Sequence, residues 1–393
     1  MSQPAPVRLL TPAFVALTLS DLAYFTAVGV LLATTPLFVT GPLGGAELGV
    51  GLAMGSFSVT TLLLRPWAGR WVDRHGRRLL LVGGAAAFAV VTVGHLVVDS
   101  LPALVALRLL LGAAEAMYFV AGFAALADLA PPQRAGEALS LNSLALYVGI
   151  AVGPLLGQAL LRWRGFDAAW IGAVALAVLA TALATRVPET RGPVDGDAPT
   201  PLLHRAAVVP GVALFCGVAA TSGFLAFAVL HAQAVGIERW SGVLLVFGGT
   251  VVVCRVALAR LPDRAGPARL AAAALAVCAM GLMVVGAFET PVGLVVGTVV
   301  LALGVAFVTP AVFATVFNTV PAAERGSAAA TTSVFIDLGL SGGPILLGVM
   351  AATTSLPTSF LLAAVLPAAG SLLLVGKAGR RAQVGRPSDL RPG

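Results

Sequence analysis

The chain carries one polar pattern twice. Arg65-Pro66-Trp67-Ala68-Gly69-Arg70-Trp71-Val72-Asp73-Arg74-His75-Gly76 returns 190 positions later, weakened, as Arg255-Val256-Ala257-Leu258-Ala259-Arg260-Leu261-Pro262-Asp263-Arg264-Ala265-Gly266. At that single offset Arg65/Arg255, Arg70/Arg260, Asp73/Asp263, Arg74/Arg264 and Gly76/Gly266 coincide. So do Gly149/Gly339, Gly153/Gly343 and Pro154/Pro344, and more loosely Pro131/Pro321 and Gly136/Gly326. Two spaced copies mean two homologous halves, and membrane carriers are commonly built that way, with the substrate site between the repeats. Only 10% of the residues are charged and 59% are hydrophobic. Soluble domains carry about 25% charge, so a single water-soluble core is excluded.

Apolar runs long enough to cross a hydrocarbon layer, which takes roughly 20 residues, divide the chain into twelve expected spans. They cover 12–38, 48–68, 79–99, 103–128, 138–161 and 169–186, then 207–230, 241–261, 268–288, 292–317, 327–352 and 356–376. The expected fold is therefore an all-α membrane protein whose twelve transmembrane helices form two pseudo-symmetric six-helix bundles. The first bundle takes residues 1–186, a linker 187–206, the second bundle 207–376, and a tail 377–393. Pro188, Pro193, Pro199, Pro201, Gly192 and Gly196 give the linker its composition.

An even number of spans puts both termini on one side. Of the 24 cations, all but Arg108, Arg162, Arg164 and Arg239 fall in or toward the breaks and tails on that side. The positive-inside rule makes it the cytoplasm. The net charge of +7 thus reads as topology, not as a nucleic-acid surface. Met1 to Thr11 precede an apolar stretch too long for a signal peptide, which is expected to stay as the first span. Cys216, Cys254 and Cys278 lie singly in apolar runs, an arrangement that suits small buried hydrophobes rather than metal ligands. The scarcity of Asn and Ile beside Ala, Gly, Pro and Arg points to a GC-rich bacterial genome.

Between spans two and three stands Gly69-Arg70-x-x-Asp73-Arg74-x-Gly76-Arg77-Arg78. Gly69 and Gly76 allow a tight turn and close backbone approach. Asp73 can face the positive end of a neighbouring helix, and the arginines can meet acids such as Asp128 at the end of span four. The spacing resembles the signature loop of the major facilitator superfamily, a resemblance that extends over all twelve spans. It implies a cytoplasmic latch between the halves when the cavity faces outward, with Asp73 meeting the start of span eleven near Ser327 and Arg77 meeting Asp128. In the second copy the closing cations become Pro267 and Ala268, with Arg269 further on, so a symmetrical latch is not implied there.

Span five carries Gly149-x-x-x-Gly153-Pro154-x-x-Gly157, a flat helix face with a proline kink. It resembles the motif of the family's drug:proton antiporter branch, except that Gln158 replaces a usual glycine. Span four carries Arg108-x-x-x-Gly112 and then Glu115, which resembles the family pattern whose arginine faces the cavity and is linked to proton transfer. Arg108 and Glu115, two turns apart, share a helix face. Asp21 and Asp337 are the other acids at mid-depth. A charge at the bilayer centre costs about 2.5–3.5 kcal/mol, so four left facing lipid would cost on the order of 10–14 kcal/mol. Such groups face a cavity or one another. Tyr147, at the repeat position of Asp337, and Asn142, Gln158, His231 and Gln233 are further candidates to line it.

The expected function is proton-driven export of a small amphipathic molecule, such as an antibiotic, drug or secondary metabolite, by alternating access across the bacterial plasma membrane. Asp21 and Glu115 are the expected primary proton carriers, Asp337 a substrate-facing acid, and Arg108 the modulating cation. A proton-coupled carrier of sugars or other metabolites on the same fold, exporting or importing, is the alternative. An integral-membrane enzyme would need clustered His, Asp or Cys at one face, and a transport-dead sensor would not need the intramembrane acids. No nucleotide loop or catalytic nucleophile set is present. The expected partners are the small-molecule substrate, protons and the lipid bilayer, with no nucleic acid, no cofactor and no metal, and the carrier is expected to act as a monomer.

Overall fold

The computed structural model describes residues 9–131, 134–190, 204–258, 266–321 and 324–384. Arg260, Asp263 and Arg264 of the second loop copy, most of the linker and the end of the tail lie outside these. Helix starts follow local capping chemistry. α1 (Pro12–Thr40) opens on Thr11, whose hydroxyl accepts from Phe14 N at 3.2 Å, with Pro12 in the first turn. α2 (Glu47–His75), α3 (Arg77–Val93) and α4 (Leu101–Leu129) follow. A continuous helical stretch, Ala135–Ala184, is broken by non-helical backbone at Arg164 and Gly165. Gly165 turns there with φ of 77°, a left-handed value that only glycine adopts cheaply. The break divides the stretch into α5 (135–163) and α6 (166–184).

The second half runs α7 (Arg205–Ala234), α8 (Ser241–Ala257), α9 (Pro267–Ala287), α10 (Pro291–Phe317), α11 (Arg325–Thr353), α12 (Leu356–Ala363) and α13 (Val365–Val384). Thr290 and Ser355 cap α10 and α12 as Thr11 caps α1. Ten helical segments are long and apolar enough to span a membrane. One of them holds both α5 and α6, and α8 is a shorter apolar helix, so the described residues supply twelve crossings, the last made by α12 and α13 together.

Packing repeats between the halves. α1 lies on α5 as α7 lies on α11, and α2 lies on α4 as α8 lies on α10. The halves meet where α2 crosses α11 and, in the repeat-related place, where α5 crosses α8. The face that carries the start of α1, the end of α6 and the start of α7 is called the linker face below, and the opposite one the far face.

The α2–α11 crossing is tightest near the far face. A Cβ on Gly51 would lie 2.6 Å from Pro344 O, and one on Gly55 would lie 2.6 Å from Ser341 O. α5 and α8 are bolted at the same level by Gln158. Its Oε1 accepts from Ser241 N at 3.1 Å and from the Ser241 hydroxyl, and its Nε2 donates to Glu238 O at 2.8 Å. Arg162 donates to Glu238 O as well, at 2.7 Å. A shallow cleft of about 550 Å³, lined by Leu155, Gln158, Arg162, Trp163, Arg239 and Ser241, marks the seam.

The stretch 69–75 is not a loop. α2 continues as helix to His75, because Arg, Trp and Val carry no helix-breaking chemistry and the helix simply projects beyond the apolar layer. Gly69 sits in open space, with nothing within 4 Å of where a Cβ would be. The turn rests on Gly76 alone, at φ of 95°, where a Cβ would also run into the Glu189 carboxylate.

Candidate functional site

Asp21 is buried where four helices of the first bundle meet. Its Oδ2 accepts from Asn142 Nδ2 on α5 at 2.7 Å, and its Oδ1 accepts from the Tyr118 hydroxyl on α4 at 2.8 Å. Tyr118 also lies 2.9 Å from the Ser20 hydroxyl, which donates to Ala180 O on α6 at 2.9 Å. Proton counting makes this arrangement informative. Three oxygen–oxygen contacts run from Asp21 to Ala180, and an ionised Asp21 leaves only the two hydroxyl protons of Tyr118 and Ser20 to fill them. With a proton on Asp21, the carboxyl donates to Tyr118, Tyr118 to Ser20, and Ser20 to Ala180. Every contact is then a hydrogen bond. Thr18 completes the surroundings by donating to Asn142 Oδ1 at 3.3 Å.

A second cluster joins the bundles. Arg65 of α2 reaches Asp337 of α11 at 3.1 Å, and its guanidinium lies 5.2 Å from the Phe119 ring centre. Asp337 is 2% exposed, and its second oxygen has no hydrogen-bond partner among the described residues. Glu115 is buried on α4 with Tyr24, Arg65, Asp21 and Asp337 as its electrostatic neighbours. Among the described residues its Oε2 and the Tyr24 hydroxyl have no partner in strict hydrogen-bonding geometry, but the two side chains lie close enough to act on each other as a hydrogen-bonding pair. Tyr24 stacks on Tyr118 at 3.9 Å, which links this cluster to the Asp21 chain.

The repeat-related counterpart of the Arg65–Asp337 pair is Arg255 over the Tyr147 ring, 4.3 Å from its centre. All three tyrosines of the chain, Tyr24, Tyr118 and Tyr147, therefore belong to this constellation. Their rarity in so apolar a chain was the signal that could have singled them out. Arg65 and Arg255 had their own signal, since they head the two copies of the repeat.

Arg108 stands apart from the acids. Its Nε donates to Ala53 O at 3.1 Å, and its guanidinium lies 5.0 Å from the Phe57 ring centre. Sharing a helix face with Glu115 does not bring the two together. Seven residues are about 10.5 Å of helical rise, and side chains tilt toward the helix N-terminus, which carries Arg108 toward the far face. His231 is buried against Phe360 near the far-face end of α7, and Gln233 is exposed.

At the linker face Arg77 donates to Asp128 Oδ2 at 3.1 Å, and Thr190 donates to the same oxygen at 2.8 Å. Glu189 caps α3, accepting from Arg77 N at 2.9 Å and Arg78 N at 3.1 Å, while Arg78 donates to Thr185 O. These contacts tie α3, α4 and the end of α6 within one bundle. Arg70 and Arg74 are exposed. Asp73 does not meet Ser327. It is 62% exposed, and its carboxylate approaches Arg77 of its own turn at 3.8 Å. The inter-bundle fastenings at Gly51, Gly55 and Gln158 are instead at the far face.

Gly149 and Gly153 let α5 approach α1. A Cβ on Gly149 would lie 2.9 Å from Thr26 N, and one on Gly153 would strike Thr26 O and lie 2.7 Å from Gly29 Cα. Pro154 lies inside α5 beside Gly29, and a Cβ on Gly157 would make ordinary contact with Val30. Gly153→Leu should therefore separate α1 from α5 and disturb the Asp21–Asn142 bond. Overpacking of this kind costs roughly 1–3 kcal/mol. A lowered unfolding midpoint with lost transport is the expected outcome, and a fully active, equally stable variant would show that the contact is not needed.

Comparison with known proteins agrees with this architecture. The Major Facilitator Superfamily profile matches residues 17–344. An uncharacterized MFS-type transporter of Salmonella typhimurium is 28% identical over 369 residues, covering 89% of this chain and 92% of that one. Among solved structures, a bacterial homologue of the human lysosomal transporter Spinster, captured inward-facing and occupied, superimposes with a TM-score of 0.77 at 16% identity, covering 96% of this chain and 98% of the other. The nucleoside transporter NupG, as its D323A mutant, gives 0.78 at 15% identity over 93% and 99%. With twelve crossings in two repeated bundles and a family match over most of its length, the chain belongs to the major facilitator superfamily.

Proposed function

We propose that the protein exports a small amphipathic molecule across the bacterial plasma membrane in exchange for protons. The observation that carries this is the Asp21–Tyr118–Ser20–Ala180 chain, whose hydrogen bonds are complete only when Asp21 holds a proton. α5 then links the proton site to the gate, because one helix bears Asn142 against Asp21, Gly149 and Gly153 against α1, and Gln158 against α8. The fastened far face and the exposed Asp73 support reading the described conformation as the one that opens toward the linker face, taken as the cytoplasm. In the cycle, Asp21 takes a proton while the cavity faces outward, and the completed chain favours the cytoplasm-open state. Proton release there removes the bias toward that state and lets the substrate-loaded carrier return outward. Glu115 and Asp337 are the secondary acids. A membrane potential of 100 mV supplies ~2.3 kcal/mol per charge moved, enough for roughly a 50-fold gradient of substrate.

The test is a susceptibility and metabolite-export panel in a bacterial strain lacking its own efflux pumps, with and without this protein. At least one amphipathic compound should be tolerated better, or appear outside faster, only when the protein is present. Greater sensitivity or faster uptake would instead make the protein an importer. The orientation is checked separately. Single cysteines placed in the 187–203 linker and in the tail should react with an impermeant maleimide in everted vesicles and not in intact cells. Labelling of the linker from outside would reverse the topology.

A further inference from the structure

Resting on that transport reading, and naming the class of molecule carried, we infer that the substrate is a small organic anion whose anionic group is taken by Arg255 beside the Tyr147 ring. The repeat supplies the argument. Arg65 and Arg255 occupy equivalent positions on α2 and α8, and each reaches across to the opposite bundle. Arg65 finds the carboxylate of Asp337. At the place of that acid the other half carries Tyr147, so Arg255 meets an aromatic face instead. Among the described residues no carboxylate lies within 4.0 Å of Arg255, and its buried Nε, like that of Arg65, has no hydrogen-bond partner.

A ring face attracts a guanidinium but uses none of its five N–H donors. Those donors form a planar fork that fits a carboxylate, sulfonate or phosphate in bidentate fashion. Arg255 lies 14 residues into α8 from Ser241, about 21 Å of helical rise from the far face. It is partly exposed, at the level where the two bundles face each other. Asp337 already neutralises the equivalent cation on the other side. The anion therefore belongs on the Tyr147 side, with its apolar body against the ring. Such a substrate leaves a negative-inside cell down the electrical gradient, and a proton entering in exchange moves charge in the same favourable sense.

Binding to the purified full-length protein is measured by ligand-dependent thermal stabilisation. The probes are naphthoate, naphthamide and naphthylmethylammonium, which share one ring system and differ in charge. Naphthoate should stabilise the wild type at the lowest concentration. R255Q should weaken naphthoate binding by about 10-fold or more, the value of a charge-assisted pair, and leave naphthamide unchanged. Tyr147→Asp, which gives Arg255 an internal carboxylate, should weaken it comparably, whereas Tyr147→Phe should not. Asp337→Asn frees Arg65 and should tighten naphthoate binding, a gain that misfolding cannot mimic. The inference is overturned if naphthoate fails to bind, if the ammonium probe binds more tightly, or if R255Q binds naphthoate as the wild type does. Uptake into proteoliposomes separates this from the transport reading. A carried cation would leave a transporter without an anion site, and an Arg255-dependent carboxylate that never crosses would leave the site without transport.

Discussion

Asp21→Asn is expected to abolish uphill export while leaving the protein folded and able to exchange substrate down its gradient. Asn supplies through its Nδ2 the proton donor that the protonated acid supplies, so Tyr118, Ser20 and Ala180 keep a complete chain, and its Oδ1 can still accept from Asn142. What it cannot do is release the proton. The variant should therefore favour the proton-loaded state, with the substrate gradient it can sustain down by roughly 50-fold and downhill exchange retained, which is what losing one coupled charge in a 100 mV field implies. Asp21→Ala is a different lesion. It leaves the Asn142 amide without its acceptor and the Tyr118 hydroxyl without its carboxyl partner in a buried place, at a cost of about 1–3 kcal/mol in stability. Transport assays of Asp21→Asn in vesicles with an imposed pH gradient check the claim. Uphill transport at the wild-type rate would place the coupling elsewhere, with Asp337 the next residue to test.

Gln158→Ala should open the far face. Three hydrogen bonds from this one side chain join the bundles, each worth about 0.5–1.5 kcal/mol net. Water in the adjoining cleft re-solvates part of what is exposed, which puts the shift near the lower end, about 10-fold in the equilibrium between the two faces. A cysteine at Leu155, which lines the cleft, should then react faster with an impermeant maleimide by about the same factor. An unchanged rate would mean that Gly51 and Gly55 alone hold that face closed.

The architecture was legible because the apolar runs and the repeat are properties of composition and spacing, which tertiary contacts do not alter. The end of α2 was not, since Arg70, Trp71 and Arg74 look like a polar break but are compatible with helix. Intramembrane acids were legible as costs, and Asp21, Glu115 and Asp337 stood out for that reason. Their partners were not, because they depend on the direction in which side chains lean. Arg65 lies ten residues before the linker-face end of α2 and counts as peripheral, yet α2 begins at the far face and its side chains tilt back that way. Asp337, on a helix that begins at the linker face, tilts the opposite way, and the two meet. Arg108 and Glu115 sit on one helix and lean the same way, so the rise of about 10.5 Å between them is not closed. Gln158 was visible as a departure from a motif, but nothing in the sequence said that it would face Ser241.

The central claim is that a proton on Asp21 favours the state closed at the far face. Electron–electron distance measurements test it without knowledge of the substrate. Spin labels go on Trp163 and Ala234, exposed near the far face in opposite bundles, in a background with the three cysteines replaced by alanine. The state that binds more protons gains as pH falls. Acid should therefore populate the short distance and alkali the long one in the wild type, and Asp21→Asn should favour the short distance over the long one with the same distribution at every pH. A wild-type distribution that ignores pH, or an Asp21→Asn protein that still follows it as the wild type does, would contradict the account.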